Sequence, residues 1–205
     1  TGGDYFDYLT TSDSQLALAI GDVSGHGIGP AMLMAETRAY LRILTRNRND
    51  LSLILTRANT MVGEDVGEER FVTMLLAKLD PEKRTLVYAS AGHSPAFILG
   101  SDGAVKSELR RTGMPLGVMR DAEYTVSKPL RLAKGDVLVL LTDGLEETTN
   151  PEGELFGVDR ILQAVHQNRQ SKAAKIVESV FETLKDFSGN AEQVDDLTMI
   201  VAKAE

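Results

Sequence analysis

Residues 15–27 read Gln15-Leu16-Ala17-Leu18-Ala19-Ile20-Gly21-Asp22-Val23-Ser24-Gly25-His26-Gly27, a strand, a carboxylate and a glycine turn in succession. Leu16 to Ile20 is apolar at both alternating positions, so Gln15 to Asp22 is expected to form a strand buried on both faces. Asp22 closes that run, where a carboxylate is costly unless it is paired or bound to a cation. The turn leads to Pro30, a residue suited to the first turn of a helix. Residues 30–47 keep helical spacing, with Met32, Ala35, Ala39 and Ile43 on one stripe and Leu33, Tyr40 and Leu44 on a second. Two apolar stripes predict a helix covered on more than one side.

Working outward, Asp50 is placed to cap a second helix carrying Leu51, Ile54, Ala58, Met61 and Val62. Strands are expected at Phe71 to Leu79, Thr85 to Ala91, Ala96 to Leu99, Glu123 to Leu130 and Val137 to Leu141. Turn signals separate them, among them Asp80-Pro81, Gly92-His93-Ser94-Pro95 and Ser101-Asp102-Gly103. Gly157 to Gln167 and Ser171 to Phe187 have amphipathic helical spacing, and Leu197 to Ala202 is a closing strand. This order predicts an α+β layered fold, with hairpin-linked antiparallel sheets in the middle and helix pairs outside.

The 205 residues suit one domain with a substantial core, or at most two small ones. A net charge of -8 argues against a nucleic-acid surface and against a basic membrane patch. No apolar stretch approaches the ~20 residues needed to span a bilayer, and neither a signal peptide nor a lipidation motif is visible. The chain has no cysteine, which removes disulfides, thiolate ligands and a thiol nucleophile, and is compatible with a cytoplasmic location. Thr1 leads directly into Gly2-Gly3-Asp4 without an initiator methionine, as expected of a domain excised from a longer protein.

Asp4, Asp22, Asp143 and Asp195 each sit at the end of a β-like run or beside a tight turn. Singly, each has an ordinary explanation. Asp22 can support a turn, Asp143-Gly144 is a common turn pair, Asp4 can be a silent acid near a terminus, and Asp195-Asp196 can open a strand. Adjacent acids repel unless something positive lies beside them, and all the ordinary explanations must hold together. The alternative is convergence on a hard divalent ion such as Mg²⁺ or Mn²⁺, which takes oxygen ligands. Other phosphate chemistries fit less well. The dinucleotide fingerprint needs a third glycine where Pro30 stands, and no Gly-Lys-Ser/Thr is present. Neither Asp22 nor Asp143 has the second aspartate two residues on that a haloacid-dehalogenase-type nucleophile needs. His26 and His93 lie in glycine turns and are candidate proton-transfer groups, whereas His166, in a predicted helix, carries no assignment.

Taken in order, Gly2-Gly3-Asp4-Tyr5-Phe6-Asp7, Asp22-Val23-Ser24-Gly25-His26-Gly27, Ala91-Gly92-His93-Ser94-Pro95, Thr142-Asp143-Gly144 and Asp195-Asp196-Leu197-Thr198 resemble the metal-dependent protein phosphatase (PPM) family. The closer resemblance is to its bacterial SpoIIE/RsbU-like serine phosphatase branch. It extends from residue 2 to about residue 201 and takes in Met114-Pro115-Leu116-Gly117 and Gly153-Glu154-Leu155-Phe156-Gly157.

The resemblance implies an αββα sandwich over residues 1–205, with two central, mostly antiparallel sheets flanked by helix pairs and the fold's first strand missing. It implies two Mn²⁺ or Mg²⁺ ions per domain, with Asp22 bridging both and the Val23 carbonyl ligating one. Asp143 and Asp195 would hold one ion and Asp4 would help hold the other, with Asp7 and Asp196 behind the ligands. Two such cations activate water for in-line attack on phosphorus, so no protein nucleophile is required. The general-acid histidine of eukaryotic members falls at Ser24 here, so His26 does not inherit that role, and their phosphate-binding arginine would precede residue 1. The implied substrate is a phosphorylated anti-anti-sigma (STAS) protein, with an upstream sensor or receiver module. Because the helix from Pro30 to Asn47 begins a few residues after Asp22, such a module is expected to act through that helix and its partner at Leu51 to Val62. A catalytically silent adaptor of the same fold is the rival reading, and a small-molecule phosphatase a third.

Overall fold

A computed structural model describes residues 2–66 and 70–205. In chain order the elements are β1 (Tyr5–Thr10), β2 (Leu16–Val23), α1 (Ile28–Asn47), α2 (Leu51–Asp65), β3 (Val72–Asp80), β4 (Thr85–Ala91), β5 (Ala96–Leu99), β6 (Val105–Leu109), β7 (Leu130–Arg131), β8 (Val137–Leu141), α3 (Asp143–Glu147), α4 (Gly157–Asn168), α5 (Ala173–Ser188) and β9 (Met199–Lys203). They fall into two compact units, Thr1–Ser94 with Arg110–Leu132, and Pro95–Leu109 with Ala133–Glu205. The chain has the expected α+β class, with one antiparallel sheet and a pair of long helices in each unit.

In the first unit the strands run in the order β1-β2-β3-β4-β7. Every residue of β2 from Ala17 to Gly21 is buried, as a strand apolar on both faces requires. Ala17, Ala19 and Val23 share a core with Leu33, Met34 and Leu41 of α1 and Ile54, Leu55, Ala58 and Val62 of α2. Asp50 caps α2, its carboxylate accepting from the Ser52 and Leu53 N–H groups. Asn59, fully buried, clamps a loop to α2: its side chain donates to the Met119 and Arg120 carbonyls and accepts from the Gly117 N–H.

The second unit orders its strands β6-β5-β8-β9. Val137, Val139 and Leu141 of β8 share a core with Ile161 and Val165 of α4 and Ile176, Val180 and Leu184 of α5. Phe156 packs on Phe187 with ring centroids 5.2 Å apart, and the Arg160 guanidinium lies 4.7 Å above the Phe187 ring. Among the described residues, no helix is long and apolar enough to cross a membrane.

The structure corrects two expectations. The stripe Met32, Ala35, Ala39, Ile43 is the exposed side of α1, whose buried side is instead Pro30, Leu33, Met34, Thr37, Leu41 and Thr45. The hydrophobic spacing was real but is not matched by burial. Residues 123–129 are also not a strand. The segment does run beside β4, since the Ser127 N–H donates to the Tyr88 carbonyl. The return bond, however, is made by the Ser127 hydroxyl accepting from the Tyr88 N–H at 3.0 Å, so a side chain replaces the regular ladder. Only Leu130–Arg131 pairs as a strand, after Pro129, which has no N–H to give.

Candidate metal centre

In the first unit the predicted ligands meet at one end of the β1–β2 hairpin. The antiparallel register pairs Tyr5 with Gly21. Continued by one residue it brings Asp4 opposite Asp22, and by two, Gly3 opposite Val23. The Val23 N–H donates to the Gly3 carbonyl at 3.2 Å, in keeping with that register. Residues directly opposite on adjacent strands project from the same face, and like charges so placed destabilise one another.

Gly3 gives a second sign of fit. A Cβ at this position would lie 2.5 Å from the Val23 carbonyl oxygen and 2.7 Å from Asp22 Oδ1. The absence of a side chain lets β1 pass against two oxygens that face the same space. One is a carboxylate and the other a main-chain carbonyl, both hard donors of the kind Mg²⁺ and Mn²⁺ prefer.

The backbone of Asp22 is held from β3. Asp22 is the register partner of Thr73. The Thr73 hydroxyl accepts from the Asp22 N–H at 3.2 Å and lies 3.3 Å from the Asp22 carbonyl oxygen. On its other side it is 2.9 Å from Nδ1 of His93, which is buried.

In the second unit, Thr142 follows β8 directly and is bonded to the residue before β9, its N–H donating to the Thr198 carbonyl at 3.0 Å. The Thr142 hydroxyl accepts from the Thr198 N–H at 3.2 Å. Asp143 follows as the first residue of α3. A Cβ at Gly144 would collide with the Asp196 carbonyl oxygen and would sit 3.4 Å from Asp195 Cβ, so glycine allows the two acidic segments to pass this closely. Asp195 Oδ1 accepts from the Asp196 N–H at 2.8 Å, and the Asp195 carbonyl accepts from the Gln193 side chain at 2.8 Å. Glu146, one turn after Asp143, has its carboxyl raised above the ordinary value by burial and by the charges of Asp143 and Glu147.

Among the described residues, no three His, Asp or Glu side chains form a single group disposed to hold a metal ion. The continued register sets Asp4 opposite Asp22, and Gly144, the residue after Asp143, passes close to Asp195. Asp7 joins neither set. The alternation of β1 puts it on the side opposite Asp4, where Arg42 of α1 grips it. His26 is exposed in the turn before α1, and His166 packs over Gly103 at the β5–β6 hairpin. Sequence reading passes over Thr73 and Glu146. Thr73 carries no signal in a single strand's pattern, because only pairing with β2 sets it against Asp22. Glu146 is marked only by its spacing of three from Asp143 on a helix too short to show a period.

Residues 12–205 match the family of stage II sporulation protein E (SpoIIE), and the chain belongs to that family. It is 30% identical over 204 residues to the phosphoserine phosphatase RsbU of Bacillus subtilis, an alignment covering 98% of this chain and 59% of RsbU. The chain spans smaller shares of four other curated relatives. Its fold matches the SiaA-PP2C domain of Pseudomonas aeruginosa at a TM-score of 0.84 and 23% identity, over 100% of this chain and 80% of that one. It also matches RsbX in complex with magnesium at a TM-score of 0.70 and 22% identity, over 100% of this chain and 88% of that one.

Proposed function

We propose that this chain is a divalent-metal-dependent phosphatase domain that hydrolyses phosphoserine or phosphothreonine in a protein. The observation that carries the reading is the cross-strand register that sets Asp4 opposite Asp22 beside the Val23 carbonyl, with Gly3 passing close to both Asp22 Oδ1 and that carbonyl. In this reading Asp22 would serve two Mn²⁺ or Mg²⁺ ions, Asp4 and the Val23 carbonyl would be further ligands, and Asp143 and Asp195 would hold one of the ions. Such cations acidify water and stabilise the charge of an in-line displacement at phosphorus. The chain's own part is to fix the carboxylates and the carbonyl in place. With no cysteine, it offers no thiol nucleophile. The P–O bond to the serine oxygen breaks, water supplies the new P–O bond, and the hydroxyl protein and inorganic phosphate are released.

Membership of the SpoIIE family and the name of RsbU support a phosphoserine substrate. We assign that substrate to the anti-anti-sigma (STAS) class, with control by an upstream sensor or receiver module in the cytoplasm. The test is hydrolysis of p-nitrophenyl phosphate and of a phosphopeptide panel, in EDTA and after adding Mn²⁺ or Mg²⁺. Activity should vanish in EDTA and return with metal. Full activity without metal ends the two-metal reading. Metal binding with no hydrolysis of any substrate favours the silent adaptor.

A further inference from the structure

Two segments singled out in the sequence have no task in the reading above, Gly92-His93 and Pro115-Leu116. The structure ties both to Asp22. We propose that Thr73 and His93 are positioning residues that fix the metal-ligating end of β2, with the Pro115-Leu116 segment holding His93 in place. This inference rests on Asp22 and Val23 being metal ligands, as proposed above.

The Thr73 hydroxyl touches three groups: the Asp22 N–H at 3.2 Å, the Asp22 carbonyl at 3.3 Å and His93 Nδ1 at 2.9 Å. A hydroxyl has one proton to donate and two lone pairs to accept with. One assignment satisfies all three contacts: the Asp22 N–H and a protonated His93 Nδ1 donate to the oxygen, and its proton goes to the Asp22 carbonyl. In that state the oxygen has no freedom to rotate. Bonded at both its N–H and its C=O, Asp22 has its two peptide planes fixed, and with them the direction of its Cα–Cβ bond; the next plane, which carries the Val23 carbonyl, is held in turn by the Ser24 N–H donating to the Phe71 carbonyl at 3.0 Å.

His93 is itself locked. It follows Gly92, whose φ of 68° is in the region that favours glycine, and a Cβ there would collide with the Pro115 ring. The Gly92 N–H donates to the Gly113 carbonyl at 2.9 Å. Val72 and Leu116 exchange hydrogen bonds at 3.0 and 2.8 Å, which joins the 113–116 segment to β3 one residue before Thr73. The bonded path returns to its start: β3 to Leu116, Gly113 to Gly92, His93 to Thr73, Thr73 to Asp22. Outer partners that orient metal ligands typically account for about 10–100-fold in metal affinity.

The test compares Mn²⁺ binding by electron paramagnetic resonance with the amide ¹⁵N–¹H shift of Asp22 in metal-free protein. Thr73→Val, which keeps the shape and removes the hydroxyl, should weaken Mn²⁺ binding about tenfold and move the Asp22 amide signal. Thr73→Ser should restore both. His93→Asn, which keeps a donor near the Nδ1 position, should bind Mn²⁺ more tightly than His93→Leu. A folded Thr73→Val protein with wild-type Mn²⁺ affinity and an unmoved Asp22 signal overturns the proposal, even if His93→Leu does not fold. Asp22→Asn separates the two levels. Loss of binding in Asp22→Asn with none in Thr73→Val defeats only the positioning role. Binding unchanged in Asp22→Asn defeats the ligand assignment and the positioning role with it.

Discussion

Arg42 on α1 holds Asp7 on β1 with two hydrogen bonds, Nε to Oδ2 at 2.6 Å and Nη2 to Oδ1 at 2.9 Å. Asp7 also accepts from the Tyr5 hydroxyl and the Tyr8 N–H, both at 2.9 Å. Burial pushes its carboxyl up, but the bonds from Arg42, Tyr5 and Tyr8 outweigh burial and keep it below its ordinary value of 3.8. The pair fastens the edge strand that carries Gly3 and Asp4 to the helix that follows Asp22.

A carboxyl held low in the folded state adds stability above its unfolded value, and that stability is lost as pH falls through the folded value. Asp7→Asn should therefore cost about 2 kcal/mol at neutral pH, the scale of hydrogen bonds to a charged group. The gap from wild type should begin to close below about pH 4, the unfolded value, and narrow further as pH falls through the lower folded value. Urea denaturation of both proteins across pH 3–7 measures this. A gap that stays constant with pH would mean that the charge of Asp7 is not what stabilises the fold.

The proposed ligands should differ in cost. Asp22→Asn should lower turnover most, because a bridging ligand serves both ions, and by more than the roughly 100-fold upper end seen for outer partners. Asp143→Asn and Asp195→Asn should follow. Asp102→Asn should behave as wild type: Asp102 lies at the exposed β5–β6 hairpin tip, and its only described bond, accepted from the Ala104 N–H, is one an asparagine can also accept. Normal turnover and metal affinity in Asp22→Asn would show the assignment to be wrong.

Two glycines near the candidate centre should respond differently to alanine. Gly3→Ala brings a Cβ against the Val23 carbonyl and Asp22 Oδ1 and should weaken Mn²⁺ binding more than it lowers stability. Gly27 has φ 97° and ψ -163° with nothing within 4 Å of a Cβ, so Gly27→Ala should cost about 1–3 kcal/mol of backbone strain and leave Mn²⁺ affinity unchanged. Parallel metal titrations and thermal melts separate the two effects.

Asn59 offers a test away from the acids. Asn59→Leu removes its part-buried bonds to Met119, Arg120 and Gly117, an expected loss of about 3 kcal/mol. Chemical denaturation reads this directly. A change under about 0.5 kcal/mol, the scale of neutral surface substitutions, would show that the 117–120 loop does not depend on the clamp.

The elements with strong internal patterns could be read from the sequence, as with β2, β4, β5, β8, α2, α4 and α5. Those defined by their neighbours could not. β6 alternates only weakly, with Lys106 and Glu108 between Val105, Ser107 and Leu109, and as an edge strand it buries only Leu109. β1 does alternate, but its inward Asp7 reads as a surface charge until Arg42 is placed beside it. On α1, apolar spacing pointed to both stripes, and only packing told the covered one from the exposed one. The acids were recognisable singly because each closes a run or a turn. The pairing of Asp4 with Asp22 appears only once the β1–β2 register is known.

The tight passage of Gly144 beneath the Asp196 carbonyl has a practical consequence. The collision of an added methyl group falls on the acidic loop and not on the apolar core that Leu145 joins next door. Gly144→Ala is thus expected to fold, to take up Mn²⁺ poorly and, if the proposed activity holds, to leave a phosphoprotein substrate unhydrolysed. A protein of that kind is a bait: immobilised, it should retain the phosphorylated form of its natural partner and release the dephosphorylated form, and mass spectrometry of the retained fraction would name the substrate.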